Sequence, residues 1–176
     1  MNRVSAALLA SVLLFLVPGI AQAEVPMNIP FTRSFIVSLE GEAQGKFMNL
    51  DGLWFEHSAI IPTDPQSGQP TGQRVHKPVT FIYPFGPASP MIFRALTSGE
   101  RLKNVTISFV RPGAQRGQEV VYATIELHDA VFVEGKQFMQ GNRLLEEVSL
   151  TFRKIVVWDR VKGIKSEDDW RAPRGR

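Results

Sequence analysis

The sequence predicts a mainly β domain: a small two-sheet β-barrel with one short α-helix and a long extended loop. Three observations carry this reading. Apolar and polar residues alternate in several separate runs, as in Val105-Thr106-Ile107-Ser108-Phe109, and a period of two lines one face of a strand. A single segment, Ser89–Ser98, combines helical spacing with a start and a stop signal. The apolar positions also change parity near Arg153 and Lys154, where Val148, Leu150 and Phe152 give way to Ile155 and Val157. A slip of one residue exchanges the two faces of a strand, so a bulge or bend belongs there and suits a sheet that curls.

The elements follow in order. Phe35, Val37 and Leu39 alternate with Ile36, Ser38 and Glu40, a half-buried strand closed by Gly41. Residues 53–61 read as a second strand that runs into the long loop, and residues 75–85 as the strand that leaves it. Pro78 cannot donate to a ladder, so pairing there is at an edge or just beginning. In the helix, Ser89 is placed to cap, Pro90 takes the first position and Gly99 ends it. Met91, Ile92, Ala95 and Leu96 share one face, which plugs an end of the sheet. Pro112, Gly113 and Gly117 mark a hairpin. Beyond it, Val121, Ala123, Ile125 and Leu127 point one way and Tyr122, Thr124, Glu126 and His128 the other, and 130–138 follows as a separate strand.

Composition excludes several functions. The chain of 176 residues is long enough for one domain with one core. A net charge of +3, spread over scattered single basic residues, is too mild to argue for nucleic acid. The lack of cysteine removes disulfides, thiolate zinc sites and thiol nucleophiles. His57, His76 and His128 are too far apart in sequence for a compact metal motif. No G-x-S-x-G elbow supports a hydrolase and no Gly-rich phosphate loop opens a helix. Glu146 and Glu147 are neighbours on a strand and face opposite sides, so they do not share a proton. Asn104-Val105-Thr106 matches the glycosylation pattern but opens a strand. No catalytic site and no cofactor is expected.

Residues 1–23 read as a secretory signal peptide: Arg3 gives the positive start, 4–17 the apolar stretch, and Ala21-Gln22-Ala23 a small-residue cleavage site. The apolar stretch is too short for a membrane span, so none is expected after cleavage. The domain then occupies 24–176. Met27 offers a second start, which would leave the upstream segment untranslated.

The longest feature without a strand or helix signal is PTDPQSGQPTGQRVHKP, residues 62–78. Pro62, Pro65, Pro70 and Pro78 forbid a helix, and a connection of this length inside a compact domain is functional or disordered. This loop, the run Ala95-Leu96-Thr97-Ser98-Gly99-Glu100-Arg101-Leu102 and the tail Ser166-Glu167-Asp168-Asp169-Trp170-Arg171-Ala172-Pro173 resemble one branch of the haemolysin-coregulated proteins, Hcp. The pieces FIVSLEGEAQG, IELHDAVFV and VSLTFRKI extend the resemblance over about 34–173. Proteins of this family are tube subunits of the type VI secretion system. The resemblance implies a homohexameric ring able to stack, with effector proteins and other parts of the secretion apparatus as partners. It also implies subunit contacts from Thr63, Asp64, Gln66, Gln69, Gln73, Arg74, His76 and Lys77 in the loop, and from Asp168, Asp169, Trp170 and Arg171 in the tail. In that picture Trp170 anchors on a neighbour whose Arg or Lys pairs with the tail acids. The family implies a secreted protein, whereas a cleavable leader implies the periplasm. The leader favours an alternative, a periplasmic Hcp-like binding or adaptor domain that no longer forms a tube.

Overall fold

The computed structural model describes residues 28–30, 32–47 and 49–170. The chain runs as β1 (Phe35–Gly41), β2 (Gly45–Lys46), β3 (Leu50–Gly52), β4 (Trp54–Glu56), β5 (Ala59–Ile60), β6 (Val75–His76), β7 (Val79–Pro84), α1 (Ser89–Ser98), β8 (Arg101–Pro112), β9 (Glu119–Gln140), β10 (Arg143–Thr151), β11 (Lys154–Asp159) and β12 (Ile164–Asp169). Ten strands form one antiparallel sheet in the order β2-β1-β8-β9-β10-β7-β4, with β3 on β1 and the β11–β12 hairpin on β9; β5 and β6 pair only with each other.

The expected alternation holds in β1, whose odd-numbered side chains Phe35, Val37 and Leu39 are buried. The expected strand over 53–61 is broken into β4, which pairs with β7, and β5, which pairs with β6. Just before it, residues 50–52 pair with β1 while 54–56 pair with β7. Between them Leu53 donates its backbone N–H to the carbonyl of Ile82 at 2.8 Å. One short segment therefore touches both ends of the curved sheet. The ladder is nearly closed, yet it is not a continuous barrel.

Gly52 makes that crossing possible. A Cβ at this position would lie 1.8 Å from the Phe35 ring. Gly52→Ala is expected to cost about 1–3 kcal/mol, because a buried ring has to move to admit the methyl group. Urea unfolding followed by tryptophan fluorescence measures this directly.

The strand expected over 75–85 is also two strands. Lys77 turns its N–H to the carbonyl of Ser58, and Pro78 has none to give, so pairing restarts at Val79. The helix bounds agree with expectation, but its cap does not. Ala88 is the N-cap and makes no side-chain cap bond. The buried Ser89 hydroxyl instead accepts the N–H of Gly86 at 3.0 Å, which ties down the turn before the helix. Gly99 stops the helix at φ 65°, in the left-handed region that favours glycine. Ile92 and Ala95 are buried, with Met91 and Leu96 packed against the same core.

Residues 130–138 do not form a separate strand. They belong to β9, which runs unbroken through 22 residues. The inward positions pass from Leu127 to Ala130 across Asp129, whose φ is 51°. Opposite this kink, β10 and β11 are separated only by Phe152 and Arg153. The pairing Thr151↔Val131 continues as Lys154↔His128 with no change of register. The feature expected at Arg153 and Lys154 is therefore a bend with no inserted residue. Val157, expected to face inward with Ile155, is exposed, and Val156 is buried in its place.

The main core packs Phe35, Phe81 and their apolar neighbours between the curved sheet and the helix. Phe35 meets Phe55, Phe81 and Phe109 with ring centroids 5.4–6.5 Å apart. A smaller cluster of Ile29, Leu53, Ile82 and Leu145 lies apart from it, backed by Trp54 and Phe138.

Candidate subunit interface

The long polar stretch is an ordered arm. Its root is the two-rung ladder Ala59↔His76 and Ile60↔Val75. Further out, Thr71 donates its N–H to the carbonyl of Pro62, and Thr63 bridges Pro70. At the tip Asp64 binds Gln69 through its N–H and accepts the N–H of Gly68 at its carbonyl. The Asp64 carboxylate accepts the N–H groups of Gln66 and Ser67 at 2.9 and 2.7 Å, and the bond from Ser67 does most to hold it below the ordinary carboxylate range. The prolines that forbid a helix thus occupy hairpin positions where no N–H is required. Ile60, Ile61 and Val75 on this arm remain 49, 52 and 42% exposed.

A polar cluster fastens the arm's root to β12. Asp168 accepts a hydrogen bond from the Arg74 guanidinium and pairs with Nε2 of His76 at 2.7 Å. A second Arg74 nitrogen reaches the Asp169 carbonyl at 3.0 Å. Nε2 of His57 lies 3.1 Å from Nδ1 of His76, and the two rings lie nearly parallel, edge to edge. Phe152 packs against both imidazoles, and Trp170 against His76. Arg153 binds Asp129 and Asp169, and Lys154 pairs with Glu167 at 2.8 Å. The Arg74 hydrogen bond holds the Asp168 carboxyl below its usual range, while burial and the neighbouring His76 lower the His57 imidazole. Nε2 of His57 and both nitrogens of His76 are engaged within the cluster. The arrangement fastens one segment to another.

Residues 40–158 match the family model of the type VI secretion system effector Hcp. This chain belongs to the Hcp family. Hcp proteins are tube and effector proteins of the type VI secretion system, and the match takes in the whole arm. The chain is 50% identical over 127 residues to the Major exported protein of Pseudomonas aeruginosa, covering 68% of this chain and 73% of that one. Among solved structures, it is similar to an Hcp protein at a TM-score of 0.75 and 28% identity, over 79% of this chain and all of the other. It is also similar to the secreted protein Hcp3 of Pseudomonas aeruginosa, at a TM-score of 0.65 and 35% identity, over 78% of this chain and 99% of that one.

Against this Hcp fold, the contact residues expected from sequence fall into two groups. Arg74, His76, Asp168, Asp169 and Trp170 come together within one chain, so the tail acids already have cationic partners of their own in Arg74 and Arg153. Thr63, Asp64, Gln66, Gln69 and Gln73 lie along the arm beyond its root. Lys77 sits at the root, where it lines a cavity of about 270 Å³ with His76, Pro78, Phe152 and Trp170. Arg171 and the leader-like residues 1–23 lie outside the described residues. Sequence reasoning did not single out His57, Phe152 and Arg153 for this cluster, nor the exposed apolar side chains of the arm. For Phe152 and Arg153 a signal existed, since the parity break falls on them.

Proposed function

We propose that this Hcp protein is the structural subunit of the type VI secretion tube. Copies close into hexameric rings, the rings stack, effectors travel within them, and the rings are themselves exported. The observation that supports this most is the arm. It is an ordered hairpin, separate from the main sheet, that exposes Ile60, Ile61 and Val75. An exposed two-stranded ladder with apolar side chains is built to join another sheet edge. Head-to-tail docking of this kind closes into a ring when the rotation permits. The family match and the similarity to a relative described as exported support the same reading.

Sedimentation of the purified chain at micromolar concentration tests the proposal. A species with the mass of a hexamer is expected, and a strict monomer at high concentration would refute ring formation. The leader-like segment favours the second reading, a periplasmic binding or adaptor domain. Mass mapping of the native N-terminus separates the two: Glu24 means cleavage after general secretion, and Met27 means that no leader is made.

A further inference from the structure

His57 stands on the outgoing side of the arm's root and His76 on the returning side, while Asp168 stands on β12. Their side chains form one relay, His57 to His76 at 3.1 Å and His76 to Asp168 at 2.7 Å. The His76 side chain is 8% exposed, and its ring lies nearly parallel to that of His57, edge to edge, with centroids 5.3 Å apart. The relay fixes the tautomers. An ionised Asp168 only accepts, so Nε2 of His76 carries its proton and Nδ1 presents a lone pair. Nε2 of His57 must therefore carry the hydrogen that bridges the rings.

We propose that His57, His76 and Asp168 form a proton-operated clasp that decides whether the arm is held rigid for docking, a regulation that rests on the ring-forming reading above. One added proton can enter on His57 without breaking the bridge. A second, on Nδ1 of His76, sets two N–H groups against each other and two imidazolium charges side by side. The charged groups around the pair come from every packed element. Arg74 and Lys77 of the arm oppose further positive charge; Asp168 and Asp169 on β12 favour it; Arg153, from the β10–β11 bend, is bound to Asp129 and Asp169.

The direction in pH follows from these contacts. Burial, and then the charge of His76, hold the His57 imidazole below its ordinary value. A base lowered on folding contributes its full stabilisation above the ordinary histidine value of about 6.5 and loses it as the pH falls through the folded value. Asp168 is held low by the Arg74 hydrogen bond, so it stays ionised while His57 takes up its proton. Acid thus adds the first proton at His57 while the carboxylate is still charged, and the bridge opens only when both rings carry one more proton.

Backbone hydrogen exchange of the full chain at about pH 7.5 and about pH 4.5, corrected for intrinsic rates, reads the clasp. Protection of Ile60 and Val75 is expected to fall by about tenfold or more in acid, while β8 and β9 keep theirs. His57→Gln can donate to Nδ1 of His76, or accept from it after an amide flip, and it cannot take a proton. This variant should hold the arm at both pH values, and His57→Ala should loosen it at both. Equal arm protection in the unsubstituted protein at both pH values would overturn the clasp. So would acid loss in His57→Gln equal to the parent's, or loss across β8 and β9 as well. Imidazole nitrogen shifts give a check free of substitution: protonated Nε2 on both rings at neutral pH is expected, and a protonated Nδ1 on His76 overturns the proposal. Sedimentation at neutral pH tests ring formation separately. A monomer whose arm still responds to acid would end the tube reading and support the clasp.

Discussion

Replacing residues 60–75 with a two-residue turn is expected to turn the proposed ring into a folded monomer. None of the residues removed belongs to either hydrophobic cluster. The arm's ladder is separate from the ten-stranded sheet, so its loss leaves that sheet intact. The arm carries Ile60, Ile61 and Val75, each already about half-buried, and covering what remains contributes about half of the 1.5–3 kcal/mol of full burial. Losing about 2–4 kcal/mol in all at each contact weakens association by about thirtyfold to a thousandfold, and every contact of the proposed ring is weakened at once. Sedimentation should show monomer, and far-UV circular dichroism should keep the β signature of the parent. An unchanged oligomer mass together with an unchanged melting temperature would show that the arm does not hold the assembly. The triple substitution Ile60→Ser, Ile61→Ser, Val75→Ser keeps the hairpin and should give the same dissociation.

The largest expected loss of stability comes from Phe35→Ala, about 3–5 kcal/mol. Phe35 is 1% exposed and meets three other phenylalanine rings. Its ring also fills the space that a side chain at Gly52 would occupy. Removing it opens a cavity that glycine cannot refill, at the point where 50–56 crosses from β1 to β7. Against a total stability of about 5–15 kcal/mol, this is a third or more of the balance for most domains. Equilibrium urea unfolding measures it through the shift in midpoint. The double variant Phe35→Leu with Gly52→Ala should lose less than the sum of the two single changes, because the added methyl enters the vacated space.

What the sequence revealed and what it hid divide along physical lines. Strand β1 was legible because its alternation is local and one face is buried. The helix bounds were legible because Pro90 and Gly99 act through their own backbones. The bend at Phe152 and Arg153 announced itself as a change of parity. The cap was misread because the Ser89 hydroxyl has two possible uses, and the turn at Gly86 takes it. The run 53–61 satisfied a strand template, but its partner changes from β7 to β6 within it, and the crossing just before it depends on the Phe35 ring, which Gly52 gives no sign of. Strand β9 looked like two because Asp129 interrupts the pattern, although the backbone continues through it. The clasp joins residues 92 and 94 positions apart in the chain, and no local pattern encodes such a meeting. The resemblance pointed to Arg74, His76, Asp168 and Trp170 as contact residues, and the fold gathers all four on one side of the arm's root.

Because Asp168 and Trp170 brace the arm's base, any passenger joined after the tail would hang from the same struts. Tension, bulk or charge on such a fusion is transmitted to the projecting hairpin as well as to β12 of the sheet. The turn at Gly141 joins β9 to β10 away from those struts and is the sounder mooring for a label or cargo.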